Sequence, residues 1–159
     1  MRRPILSKML ENISNVPTEE ERSFVLKVES DRYPEVSQLL RMAYDPQVKF
    51  TLQKGRKPYD GFQSEKFDYP EVPFYTYLKK IYVFLDNHPF SQRPQHVRDN
   101  KFREVLENIC ASDAELLLAI KDKKLPDNMK GLSKEFVHKT LPHLWVEEEK
   151  IKNVKKKTV

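Results

Sequence analysis

Apolar residues recur every three to four positions along most of the chain, and prolines interrupt the pattern between successive runs. The sequence contains 11 prolines but only three glycines, and no segment alternates apolar and polar β-branched residues as a half-buried strand does. Spacing of this kind is typical of amphipathic helices that pack against one another. We therefore expect an all-α fold, a compact multi-helix bundle whose core is formed by the apolar faces of short helices.

Helix signals divide the chain into several elements. We expect helices over residues 4–15, 31–44, 74–85 and 95–111, further helices beginning at Thr18, Ser112 and Ser133, and a short helical turn after Pro46. Segment 74–85 is apolar nearly all round, which predicts the central core helix. Its aromatic side chains, Tyr82 among them, are expected to pack in the core and not to stack on nucleic-acid bases.

The second helix has a clear start signal. Thr18 and Glu21 have the spacing of a capping box, in which each side chain accepts a hydrogen bond from the other residue's free backbone N–H group. On the helix that follows, Phe24, Val25 and Val28 recur at helical spacing. We expect these three side chains to face inward.

Residues 112–145 form the most informative stretch. A capping box, Ser112 with Glu115, opens the first of two short helices, and Ser133, just after Gly131, opens the second. Because a helix N-terminus offers free N–H groups and a favourable dipole to anions, a start of this kind among lysines is a candidate phosphate seat. The alternative is an ordinary helical hairpin with solvated lysines. The lysines concerned are Lys121, Lys123, Lys124, Lys130 and Lys134.

The excess positive charge is concentrated at the end of the sequence. The chain has 29 Lys and Arg residues against 24 Asp and Glu residues, and residues 150–159 contain five of the lysines and no acid, so residues 1–149 carry 24 of each. We expect residues 1–149 to form one helical domain and residues 150–159 a flexible lysine-rich tail. Since the domain is neutral, an anionic partner must be bound by local patches. Besides the lysines above, such patches lie at Lys54, Arg56 and Lys57 and around Arg98.

Few features point to catalysis. Lys57 and Asp60 stand one residue too far apart for the K-x-D-G nucleotidyl-transfer motif. The single cysteine, Cys110, lies in an apolar run and is expected to be a buried structural thiol. The Cys and His spacing does not fit a zinc site, no apolar run is long enough to span a membrane, and no signal peptide is visible. We therefore expect a cytoplasmic protein that is not an enzyme and needs no metal or cofactor.

Three segments resemble the N-terminal helical DNA-binding domain of ATP-dependent DNA ligases, most closely that of T-even-phage ligases. They are residues 39–58, where an apolar helix ends in a Tyr-containing turn and a basic loop; residues 74–87, which match that domain's central helix; and the closing stretch to Trp145. Together the similarity extends over roughly residues 5–146. The adenylation domain of a ligase has no counterpart in the sequence, so the resemblance does not imply ligase activity.

The resemblance implies binding of duplex DNA through its minor groove and both backbones. The positions that match the ligase contacts are Gly131, Leu132, Ser133 and Lys134 with Lys121, Lys123 and Lys124, and a second contact matches Lys54, Arg56 and Lys57. We expect a non-catalytic accessory protein of phage DNA replication, repair or transcription, in the host-cell cytoplasm. The alternative is an adaptor on the same scaffold that binds a polymerase, a clamp or another replication or transcription protein, with Phe67 and Tyr69 as the candidate contact.

Overall fold

Seven α-helices contain most of the residues that the structure describes, and the expected all-α class is confirmed. The computed structural model describes residues 4–60 and 72–146, and within these ranges no strand is formed. The helices are α1 (Leu6–Ser14), α2 (Glu19–Arg32), α3 (Pro34–Tyr44), α4 (Val72–Lys79), α5 (Gln95–Glu107), α6 (Ala111–Lys121) and α7 (Lys134–Thr140). Short 3-10 helices lie at Lys57–Tyr59, Ile81–Phe84, Pro89–Gln92 and Asp127–Met129.

The central helix is α6. Eight of its 11 residues are buried, and it packs against α1, α3 and α5. Segment 74–85 was expected in this role, and that expectation is wrong. The run from Ala114 to Ile120 is apolar on every side except at Glu115, so α6 can be surrounded by other helices.

Segment 74–85 is not one helix. Helix α4 ends at Lys79 and a 3-10 helix follows at Ile81–Phe84. The break lets the chain pair with a neighbouring extended segment, since the Thr51 N–H donates to the Phe84 carbonyl at 2.8 Å and the Asp86 N–H donates to Lys49 at 3.0 Å. Tyr82 is 53% exposed as a result, so its predicted core position is wrong.

The helical turn expected after Pro46 is also absent. A turn closed by the Val48 N–H and the Asp45 carbonyl leads into extended backbone, and Phe50 forms an isolated antiparallel bridge with Leu85. Val48, Phe50 and Leu52 face the core on alternate residues, which is the period of extended chain and not of a helix. Lys49, between two of these residues, is therefore directed away from the core.

Helix α2 begins as expected but turns a different side inward. The Thr18 hydroxyl accepts the Glu21 N–H at 3.3 Å, which confirms the cap. However, Phe24 and Val28 are 69% and 43% exposed, and the buried residues of α2 are Leu26 and Ser30. The amphipathic pattern of α2 is weak, and its contacts with α1, α3 and α7 decide which side is covered.

Helix α6 does not use the expected capping box. Its N-cap is Cys110, and the Ser112 hydroxyl instead accepts a hydrogen bond from the Ser7 hydroxyl of α1 at 2.8 Å. Asp113, fully buried, accepts the Ser7 N–H at 3.2 Å, so the first turn of α6 is tied to the first turn of α1. Cys110 is buried as expected, and burial raises the pKa of its thiol to about 11.

Two expectations concern residues that the structure does not describe. Phe67 and Tyr69, the candidate adaptor contact, and the tail at residues 150–159 lie outside the described residues. The division into a domain and a tail therefore stays a prediction. Among the described residues, no helix has the length and apolar character needed to cross a membrane.

Candidate functional site

A cavity of about 390 Å³ lies beside the C-terminal end of α6. The end of α3, the extended segment 46–54 and the first residue of α7 form its other walls. Its charged lining consists of Lys49, Lys54, Lys121, Lys123, Lys134 and one acid, Asp122. We call this cavity the basic cleft. It brings together lysines from three separate parts of the sequence, which the charge count alone could not do.

Lys121 is a structural residue of the cleft wall. It is only 5% exposed, and its ammonium group donates to the carbonyl oxygens of Gln53 at 3.0 Å and Gly55 at 2.7 Å. It also pairs with Asp122 at 3.0 Å, and it lies 4.9 Å from the centre of the Tyr59 ring. Because its hydrogen-bond donors are used inside the protein, we do not retain Lys121 as a phosphate contact.

The same region of α6 also holds the basic loop, which is the loop that carries Lys54, Arg56 and Lys57. The Asp122 carboxylate accepts the Gly55 N–H at 3.1 Å, and Arg56 forms an ion pair with Glu115 of α6. Gly55 has a φ of +82°, a left-handed conformation that a residue with a side chain rarely adopts. The loop that carries Lys54 is thus held in one conformation by α6.

Helix α5 supports this loop through a buried polar cluster. Asp99, 5% exposed, accepts hydrogen bonds from the Tyr59 hydroxyl at 2.6 Å, the Gln53 amide at 2.6 Å and the Gln95 amide at 3.0 Å. Burial by itself raises the pKa of Asp99, but these hydrogen bonds outweigh it and hold the pKa below its usual range. The cluster links α5 to both ends of the loop.

The arginines of α5 also serve the fold. Arg98 donates to the Thr51 carbonyl at 2.7 Å and to the Arg93 carbonyl at 3.1 Å. Arg103 donates to the Pro58 carbonyl. Arg98 was expected to form part of a DNA-binding patch, but its guanidinium holds the backbone next to the cleft instead and does not line it.

Lys123 ends α6 in an unusual way. Its φ is +64°, its N–H donates to Ile120 at 2.8 Å, and the Lys124 N–H donates to Ala119 at 3.2 Å. This pair of bonds is the Schellman motif, whose left-handed position is usually glycine. The Lys123 ammonium donates to the carbonyls of Met42 and Asp45 at the end of α3, so it joins the two helix ends.

The environment of Lys123 changes its basicity. Burial lowers the pKa of its amine to about 8; the neighbouring charge of Lys134 contributes to the decrease, and Asp45 opposes it. Lys123 and Lys134 both line the basic cleft, and like charges in one cavity repel one another. A negatively charged group in the basic cleft would relieve this repulsion.

The residues before α7, where a phosphate seat was expected, make contacts within the protein. The Gly131 N–H donates to the Ser14 hydroxyl at 2.8 Å, and a Cβ atom on Gly131 would stand 2.1 Å from the Ser14 carbonyl oxygen. Leu132 is fully buried, and its carbonyl accepts the Tyr44 hydroxyl at 2.6 Å. Ser133 caps α7 by accepting the Phe136 N–H at 3.2 Å, as expected. These groups are used within the protein, so Gly131, Leu132 and Ser133 are not retained as phosphate contacts.

The remaining predicted lysines are exposed but do not all face the cleft. Lys57 lies in a 3-10 helix of the basic loop, and Lys124 follows the Schellman motif. Lys130 lines a different cavity, together with Ser14 and Arg22. Among the predicted contacts, Lys54 and Lys134 therefore remain as exposed lysines of the basic cleft, with Lys57 and Lys124 as flanking charges.

Sequence reasoning did not single out Lys49 as a candidate site residue. It lines the basic cleft, and the signal for it was the alternation of Val48, Phe50 and Leu52, which places the intervening lysine on the opposite side of extended chain. The side chains of Lys49, Lys54 and Lys134 form no ion pair or hydrogen bond with a described residue. No described residue therefore compensates their positive charge through an ion pair.

Comparison with known proteins yields no match: neither a protein-family profile, nor a curated protein, nor a solved structure is detectably similar to the chain. Within residues 4–60 and 72–146, no group of three or more His, Cys, Asp or Glu side chains is arranged to hold a metal ion.

Proposed function

We propose that this protein binds duplex DNA by its phosphate backbone, without catalysing a reaction, and that the basic cleft is the central contact. The observation that carries the proposal is the convergence of three lysines, Lys49, Lys54 and Lys134, on one concave surface, where none of them is paired with a described residue. The lining acid, Asp122, is already paired with Lys121 and with the Gly55 N–H. The cleft therefore has a net positive charge that an external anion would neutralise.

Phosphate is the anion that the cleft suits best. Lysine ammonium groups are compact point charges that bind phosphate well but do not recognise its geometry as an arginine does. The arginines near the cleft are used for the fold, Arg98 and Arg103 in holding backbone carbonyls and Arg56 in pairing with Glu115. Contacts of this kind fix position on DNA without reading sequence. Lys57 and Lys124 would extend the contact beyond the cleft.

The resemblance to the N-terminal domain of DNA ligases supports the same proposal. We infer that the helices are arranged in the manner of that domain and that the protein is an accessory factor of phage DNA replication, repair or transcription in the host cytoplasm. The contact residues differ in part from those that the resemblance implied. Lys54 and Lys134 remain in the proposed contact with Lys57 and Lys124 beside them, Lys49 is added, and Lys121, Lys123 and Gly131 become structural residues.

A salt titration of DNA binding tests the proposal. Each neutralised phosphate lowers the slope of log K against log salt by about 0.9, so contacts from the three cleft lysines and the two flanking lysines give a slope of about −4.5. The triple change of Lys49, Lys54 and Lys134 to Gln should reduce the slope to about −1.8 and weaken binding to a labelled duplex, measured by fluorescence anisotropy. The matched control changes Lys27, Lys79 and Lys80 to Gln, which removes the same charge from exposed positions outside the cleft.

The outcome also separates the folded domain from the tail. A chain without residues 150–159 should keep the cleft-dependent part of the slope. If the control triple variant weakens binding as much as the cleft variant does, or if removing the tail abolishes all binding, the cleft is not the DNA contact and the proposal fails.

The second candidate function is a protein adaptor, and one observation favours it. Phe24 and Val28 lie one helical turn apart on α2 and are 69% and 43% exposed. Beside them, α1 and α2 enclose a largely apolar cavity of about 550 Å³ that includes Met9, Ile13 and Val25. Apolar surface of this kind is typical of protein interfaces. A polymerase or clamp that is captured by the protein after nuclease treatment, and lost with Phe24→Asp, would support the adaptor.

A further inference from the structure

A second cavity adjoins the basic cleft on the other side of the extended segment. Its volume is about 530 Å³, and its lining includes Arg41, Gln47, Lys49, Tyr82, Asp86 and His143. Val48 and Lys49 line both cavities, so only this short segment separates them. We call the second cavity the Tyr82 cavity. Pockets that bind small molecules have volumes of about 300–1,000 Å³, so it has room for one nucleotide.

Tyr82 gives this cavity an aromatic surface that the core does not use. The side chain is 53% exposed, whereas Phe84, two residues later, is 1% exposed. The 3-10 helix that carries Tyr82 is held in place at its end, because the Phe84 carbonyl accepts hydrogen bonds from the Thr51 N–H at 2.8 Å and the Thr51 hydroxyl at 3.0 Å. A ring carried on fixed backbone and open to solvent is suited to stacking on an unpaired base.

Polar groups around the ring could bind the edge of a base. Arg41 donates its Nε–H to Asp45 at 3.1 Å, which fixes the guanidinium, and its terminal nitrogens have no partner among the described residues. The side chains of Gln47 and His143 also line the cavity. The Asp86 carboxylate is the acid in the described lining, and it is accompanied there by Arg41 and Lys49, so the net charge of these groups is positive.

Asp45 connects the two cavities structurally. Its carboxylate, on a residue 3% exposed, holds Arg41 of the Tyr82 cavity and accepts the Gln47 N–H at 2.9 Å. Its backbone carbonyl accepts the ammonium of Lys123, in the basic cleft, at 2.9 Å. The two cavities are thus held in a fixed position relative to each other. A ligand that occupies both cavities needs such a fixed position.

We propose that the Tyr82 cavity binds an unpaired nucleotide, with its base stacked on Tyr82 and its phosphate at Lys49, next to the phosphates held by the basic cleft. The inference rests on the proposed function, because it assigns to the same DNA ligand a single-stranded nucleotide beside the duplex. The shared chemistry, a base joined to a phosphate, is also found in a free nucleotide. Size, aromatic surface and positive charge together favour this occupant over an apolar ligand.

Binding to three ligands tests the inference: a blunt duplex, the same duplex with a two-nucleotide single-stranded extension, and a free deoxynucleoside monophosphate. We expect the extension to increase affinity about tenfold, the contribution of one stacked base. Tyr82→Ala should remove this increase and leave blunt-duplex affinity unchanged, whereas Tyr82→Phe should retain it. Phe24→Ala, which removes an exposed aromatic ring on α2, is the matched control and should have no effect on the increase.

The outcomes distinguish the two proposals. Equal affinity for blunt and extended duplexes without Tyr82-dependent binding of the free nucleotide, or a preference for the extension that survives Tyr82→Ala, overturns the inference and leaves the DNA-binding proposal standing. No binding to either duplex, with no Tyr82-dependent binding of the free nucleotide, defeats both. Tyr82-dependent binding of the free nucleotide without any preference for the extension supports a nucleotide site and identifies its source as the free nucleotide.

Discussion

The ammonium group of Lys121 lies 2.7 Å from the carbonyl oxygen of Gly55, at the end of a side chain that is almost completely buried. The two residues are 66 positions apart in the sequence. This bond, with that to Gln53, holds the basic loop against α6 and so determines where Lys54 stands. Lys121, whose charge alone suggested a ligand contact, is therefore a structural residue that positions Lys54.

Lys121→Met should destabilise the protein by about 2 kcal/mol, because the carbonyl oxygens of Gln53 and Gly55 lose a charged donor in a buried setting. Chemical denaturation measures the change. Lys124→Met is the matched control, since Lys124 is exposed and lies three residues away; its effect should stay within about 0.5 kcal/mol. Equal stability of both variants would contradict the structural role of Lys121.

Gly131→Ala should destabilise the fold by about 3 kcal/mol or more, because its Cβ would stand 2.1 Å from the Ser14 carbonyl oxygen and backbone would have to move. Gly55→Ala offers the comparison. No heavy atom lies within 4 Å of its Cβ position, and only the left-handed φ resists the change, which costs about 1 kcal/mol. Thermal unfolding of both variants tests which substitution destabilises the protein more. The close approach at Gly131 is refuted if Gly55→Ala is less stable than Gly131→Ala.

Asp99→Asn should cost about 2 kcal/mol at neutral pH, since an amide cannot accept the hydrogen bonds of Tyr59, Gln53 and Gln95 as a carboxylate does. The pKa of Asp99 is lowered in the folded protein, so its stabilising contribution is present above its ordinary pKa, about 3.9, and is lost as the pH falls through the folded value. The stability difference from wild type should thus shrink in acid. A difference that stays constant from pH 7 to pH 3 would argue against an ionised Asp99.

The buried amine of Lys123 predicts a stability change at alkaline pH. Its pKa is lowered from 10.5 to about 8 in the folded protein, so between these values the unfolded chain binds more protons and stability rises with pH. Relative to Lys123→Met, the wild-type protein should gain roughly 1 kcal/mol in free energy of unfolding between pH 7 and pH 9. Comparison with that variant cancels the titration of Cys110 and the tyrosines. A constant difference would show that Lys123 keeps an ordinary pKa.

The sequence was sufficient to predict the all-α class and several local features. The Thr18 and Ser133 caps and the burial of Cys110 follow from signals within a few residues, whereas the helix expected from residue 31 begins at Pro34. Such signals act locally, because a hydroxyl that accepts an N–H three residues away needs no tertiary contact. The same rule failed at Ser112, where a bond to Ser7, 105 residues away, replaces the cap.

The candidate site depended on contacts that no local pattern contains. Lys54, Lys121, Lys123 and Lys134 were predicted from charge, but whether each amine faces solvent or the protein depends on partners such as Gly55 and Met42 that are distant in sequence. Sequence spacing also could not show that Gly131 is required for its close approach to Ser14 and not for an anion. Tyr82 illustrates the same point, since a helical period placed it in the core and the backbone pairing at Thr51 exposed it.

The supports of the basic loop have a thermodynamic consequence for any ligand of the cleft. Lys121 and Arg98 donate hydrogen bonds to the backbone around Thr51 and Gly55, and Asp122 accepts one from it. Because this backbone is already held, a ligand has to order only the lysine side chains. That ordering costs at most about 2 kcal/mol for each lysine, whereas folding a loop on binding would add a comparable backbone term for every residue. The cleft is thus preorganised, and its affinity is set by charge and not by the cost of shaping the site.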